Sequence, residues 1–71
     1  MNRPNRIPVQ VAAKLMGVST LFVREGMRLG LLPIGEAIQL PGSSKWTFYI
    51  SPPLLAQYIG ADLDTVLEAA S

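Results

Sequence analysis

The chain contains no cysteine and no histidine among its 71 residues. Without thiolates or imidazoles, disulfides and the usual transition-metal sites cannot form, and histidine-based acid/base chemistry is excluded. Carboxylates are sparse too: five in all, with Asp62, Asp64 and Glu68 gathered near the end. There is no phosphate-binding glycine loop and no nucleophile beside a base, so the sequence reads as a non-enzyme without cofactor or metal. No apolar run approaches the ~20 residues that cross a bilayer. The basic start MNRPNR is followed by an apolar segment broken at Gln10 and Lys14, short of a signal-peptide core. The expectation is a soluble, cytoplasmic chain with no membrane partner.

What is present is charge arranged by position. Residues 1–50 hold Arg3, Arg6, Lys14, Arg24, Arg28 and Lys45 against Glu25 and Glu36, a net +4, whereas residues 51–71 hold three acids and no base, a net −3. A basic body followed by an acidic end points to a polyanionic partner for the first part. The length allows one small domain, which depends on a well-organised core or a partner for stability.

The pattern predicts a chain of short elements. Residues 1–6 are polar and form a basic arm. Pro8 suits the start of a helix over 8–16 with Val11, Ala12, Leu15 and Met16 on its buried stripe, ended by Gly17. After Gly17 and Val18, Ser19 caps a second helix running to Leu29, closed by Gly30; two helices joined this tightly match a helix-turn-helix. GEAIQL and KWTFYI flank the turn PGSS as a β-hairpin, with Trp46, Phe48 and Ile50 on the core face. Ser51 and Pro52 open a third helix carrying Leu54, Leu55, Tyr58 and Ile59, and Asp62 caps a fourth bearing Leu63, Val66 and Leu67. The domain is therefore residues 7–60, with 61–71 a short acidic C-terminal helix or tail.

The second helix divides into two faces. Phe22, Val23, Gly26 and Met27 turn to the body, with Gly26 letting the first helix approach closely; Thr20, Leu21, Arg24, Glu25 and Arg28 turn outward. Such an outer face either is a solvated charged surface or reads DNA, with N-terminal side chains on base edges and guanidinium groups on guanines or phosphates. Leu21 on that face favours the second reading. Glu25 opposes it unless it accepts from a cytosine amino group or pairs with an arginine. Ser43, Ser44 and Lys45 at the hairpin tip can meet a phosphate backbone or simply make a turn. Arg3 and Arg6 can enter a minor groove, and Lys14 can meet a phosphate, or all three serve solubility. Trp46 and Tyr49 read as packing or rim residues rather than a stacking platform.

The run VAAKLMGVSTLFVREGMRLGLLP resembles the helix-turn-helix of the MerR-like and excisionase-like winged-helix proteins. The likeness rests on Val11, Ala12, Ala13, Gly17, Val18, Ser19, Val23, Arg24, Gly30, Leu31, Leu32 and Pro33, and EAIQLPGSSKWTFYISP after it is similar to the small wing of phage and mobile-element excisionases. It implies an α+β, mainly helical, small winged helix-turn-helix that binds double-stranded DNA, with Ser19, Thr20, Leu21, Arg24 and Arg28 facing the major groove and Ser43, Ser44 and Lys45 at the wing tip. No long dimerisation helix or effector domain follows. The resemblance therefore implies a recombination directionality factor or small transcriptional regulator of a phage or mobile element, in a bacterial cell or phage-infected host. Its implied partners are DNA, further copies of itself on adjacent sites, and an integrase or repressor. The alternative is a protein-interaction module on the same fold, an antirepressor or assembly adaptor.

Overall fold

Pro8, at φ −61° and ψ 148°, stands just ahead of the first helix, α1 (Val9–Met16), which thus starts one residue later than the sequence suggests. Gly17 ends it at φ 73°, and the Val18 amide reaches back to the Ala13 carbonyl at 3.0 Å; a left-handed residue makes this closure possible without a Cβ clash. Ser19 then caps α2 (Thr20–Arg28), its hydroxyl accepting from the Phe22 amide at 3.1 Å. Val18 packs against the core between the two helices, as its place in the turn suggests. The computed structural model describes residues 6–71. The basic arm, Arg3 included, lies outside the described residues except for Arg6.

The hairpin is shorter than its apolar pattern. Strands β1 (Gly35–Ile38) and β2 (Thr47–Ile50) pair antiparallel, Gly35 opposite Ile50 and Ile38 opposite Thr47. The expected flanks, 39–40 and 45–46, leave the ladder because Pro41 and Gly42 (φ 80°) form a turn closed by the Ser43 amide on Leu40 O at 3.1 Å. The Lys45 amide then bonds the Ser43 hydroxyl at 3.1 Å instead of a strand partner. At Gly35 a Cβ would stand 1.8 Å from the Tyr49 carbonyl oxygen. Only glycine allows that approach, so the residue fixes the register.

Ser51 and Pro52 open α3 (Pro52–Ile59), the serine hydroxyl accepting from the Leu54 amide at 3.4 Å, and Asp62 precedes α4 (Leu63–Ala70) without a side-chain cap bond. Helix α4 packs on α3 and α1, while α2 packs on α1 and β1. The described residues form one α+β unit, about half helical, with four helices and a two-stranded antiparallel sheet among them. Its core takes Ile7, Ala12, Val23, Ile34, Ile50, Leu55 and Val66 from successive parts of the chain, and among the described residues it contains no buried polar side chain.

Several apolar placements differ from the sequence reading, among them Leu63, which is exposed at the start of α4 while Val66 takes the buried position. Phe22 is 53% exposed, because the two-turn stripe that α1 and β1 cover centres on Val23 and Met27 and leaves the adjoining column open. In α3 the inward row is Pro52, Leu55 and Ala56, so Leu54 and Tyr58 lie exposed beside it. Ala13 joins Ala12 as a buried residue of α1, and Val11, Leu15 and Met16 are only half-buried. Gly26 makes room for Leu32 rather than for α1: a Cβ there would lie 2.7 Å from the Leu32 side chain.

Candidate nucleic-acid interface

Helix α2 presents a projecting face with a graded chemistry. At its N-terminal end Leu21 is 62% exposed, and Thr20 beside it is half-buried. One turn further comes exposed Arg24 and a turn beyond that exposed Arg28, which matches the outward set expected from the helical period. Ser19, also expected there, has its oxygen engaged in capping, which leaves its hydroxyl proton as the group it can still offer.

Glu25 is accounted for by Arg28. The guanidinium donates to the Glu25 carboxylate at 2.6 Å across one helical turn, a salt bridge with both side chains 40–46% exposed. That hydrogen bond holds the Glu25 carboxyl below its usual range and raises Arg28 above its own. The same guanidinium stands 5.9 Å from the centroid of the Trp46 ring, within reach of a cation–π attraction. Arg28 is thus held between a carboxylate on its own helix and an indole at the root of β2. It links α2 to the hairpin.

On the other side of that indole lies a groove of about 530 Å³, walled by the Arg6–Val9 segment, Arg24 of α2, and Trp46, Thr47 and Phe48. Its outer wall is fixed because the Ile7 amide donates to the Ile50 carbonyl at 2.9 Å, holding the chain entering α1 against the end of β2. Arg6 therefore belongs to this groove. Among the described residues its charged lining is Arg6 and Arg24, with no carboxylate, and neither arginine forms a salt bridge there. Two unpaired guanidinium forks beside an indole suit phosphate or carboxylate oxygens.

The structure does not gather every expected residue into this site. Lys14 is exposed on α1 and Ser43, Ser44 and Lys45 are exposed beyond the hairpin, none of them lining the groove. Ser43 serves the turn through its oxygen. Trp46 and Thr47 are the site residues that sequence reasoning missed. Composition marked Trp46 as a large ring just before β2, but its meeting with Arg28 depends on how the hairpin is laid against α2, which the local pattern does not encode.

No family model, curated protein or solved structure matches this chain. Among the described residues no cluster of carboxylates, histidines or cysteines could hold a metal ion, and no helix is long and apolar enough to cross a membrane.

Proposed function

We propose that this chain binds double-stranded DNA as a small winged helix-turn-helix protein, with α2 in the major groove and the hairpin, its wing, against the flanking backbone or minor groove. The observation that carries the reading is the convergence of Arg6, Arg24 and Arg28 around Trp46 beside the exposed face of α2, while Asp62, Asp64 and Glu68 belong to the last helix and its cap. Leu21, exposed at the N-terminal end of that helix, is placed as base-contacting residues are in such helices, where an apolar side chain meets a thymine methyl. Within the class, the resemblance to excisionase-like proteins favours a recombination directionality factor or small regulator of a phage or mobile element, acting with an integrase or repressor. One domain of this size contacts few base pairs, so useful specificity calls for several copies on neighbouring sites.

The test is a fluorescence-anisotropy titration against a random-sequence duplex and then against duplexes enriched from that pool. Binding is expected to weaken steeply with salt, by ~0.9 log units per phosphate contact for each log unit of salt. Absence of binding to any duplex at low salt sinks the proposal.

A second reading, a protein-interaction module on the same fold, draws on one observation: Phe22, Gly26, Leu29, Leu31 and Leu32, with Glu25 at the edge, line a mostly apolar depression of about 240 Å³ on another flank of α2. It requires sedimentation velocity to show association between copies that Leu29→Ser and Leu31→Ser abolish.

A further inference from the structure

We infer that the groove between the Arg6–Val9 segment, α2 and β2 is a seat for a backbone phosphodiester of the bound duplex, so that Arg6 and Arg24 grip phosphate and base reading falls to the N-terminal end of α2. The inference rests on the DNA-binding reading and assigns roles within it. Its first ground is shape. Base edges lie on the floor of a DNA groove and can be reached only by a projecting part of a protein, whereas the phosphates are the projecting part of the duplex and are received by a concavity. Arg24 lines a concavity walled by three separate parts of the chain. Leu21 stands in the open on the same helix, one turn before it.

The second ground is charge. Among the described residues the groove holds the Arg6 and Arg24 guanidinium groups and no carboxylate, which leaves an uncompensated positive pair at one point of the surface. A phosphodiester carries two terminal oxygens, and each can accept from one fork. The third ground is rigidity: Arg6 adjoins the chain that is held to Ile50 by the Ile7 amide, and Trp46 is fixed under Arg28, which Glu25 holds in turn. Two arginines carried on fixed backbone, one beside the bonded Ile7 and one on a helix, lose less freedom on binding than two on loose segments. Arg28, committed to Glu25 and Trp46, acts as a positioning residue for this seat.

The experiment compares wild type, Arg6→Ala, Arg24→Ala, the double variant and Leu21→Ala on an enriched duplex and on a random-sequence duplex, each over a range of salt. Both arginines are exposed, and an unchanged far-UV circular dichroism spectrum confirms that each variant folds. Loss of Arg6 or Arg24 is expected to weaken both duplexes by the same factor, about 10-fold or more at low salt, and to reduce the salt slope by about 0.9 for each phosphate no longer gripped. Leu21→Ala is expected to narrow the ratio between the two duplexes and leave the slope intact. A neutral methylphosphonate at the seated position should weaken wild type and leave the double variant unaffected. The phosphate seat is overturned if Arg24→Ala collapses the ratio between duplexes at unchanged slope, because Arg24 then reads a base. It is also overturned if removing both arginines leaves the slope where it was. Failure of wild type to bind any duplex is a different result, and removes the DNA-binding reading itself.

Discussion

Gly26 shows how a single residue can be legible in kind and not in detail. Glycine within a helix gives up about 1 kcal/mol relative to alanine, so its presence announces a close approach. Periodicity assigns a face and names no neighbour, which is why the first helix seemed the natural counterpart and Leu32, six residues further along, proves to be the actual one. Leu32 is only 7% exposed and cannot swing into solvent without leaving the core. Gly26→Ala should therefore lower the unfolding free energy by about 1 kcal/mol, the overpacking cost of about 1–3 kcal/mol outweighing the gain in helix propensity. On a Leu32→Ala background the same substitution should raise stability by about 1 kcal/mol. Urea denaturation of the four chains measures both, and equal effects on the two backgrounds would show that Leu32 is not what the glycine accommodates.

Between elements, the contact that matters most is the one from α2 to the root of the hairpin. The Glu25–Arg28 half of it is legible from the three-residue spacing on a helix. The Arg28–Trp46 half joins residues 18 positions apart and depends on how the hairpin is laid against α2, which no local pattern encodes. The hairpin's length was hidden for a related reason: Leu40 and Trp46 continue the apolar pattern past the ladder, but the Pro41–Gly42 turn and the Ser43 bond to Lys45 divert the backbone before they can pair. Helix ends, by contrast, could be read closely, because Ser19, Ser51 and the glycines after α1 and α3 act through bonds within a few residues. The link carries a pH dependence. A carboxyl lowered in the folded chain contributes stability above its unfolded range and loses it as pH falls through the lowered value. Arg28 stays charged throughout. Below the ordinary glutamate range Glu25 should protonate, release the guanidinium and alter the emission of Trp46, the chain's single tryptophan. Glu25→Gln should abolish that acid step, and a step that persists would assign it to another carboxylate.

For the molecule as a whole, the question the sequence left open was whether its acidic end is an appendage. An amphipathic pattern shows that α4 has a face to bury but cannot say against what. Val66 is fully buried and α4 packs on both α1 and α3, so this helix closes the core that the preceding elements leave open. In so small a domain each such residue is a large share of stability, which for whole domains is about 5–15 kcal/mol. Val66→Ala should cost about 2 kcal/mol through lost burial and the void left behind. A chain ending at residue 60 should lose its cooperative thermal transition, followed by circular dichroism; a truncated chain that melts like the full one would return residues 61–71 to the status of a tail.

The bond from the Ile7 amide to the Ile50 carbonyl also decides how the protein can be handled. It brings Arg6, the first described residue, to the arginine groove, whose lining it joins. An affinity tag or fluorescent label joined ahead of Met1 stands only a few residues along the chain from Arg6. A polyhistidine or acidic linker placed there competes with any anion for Arg6 and Arg24. The opposite terminus follows α4, none of whose residues line the groove, so labels for binding measurements belong after Ser71.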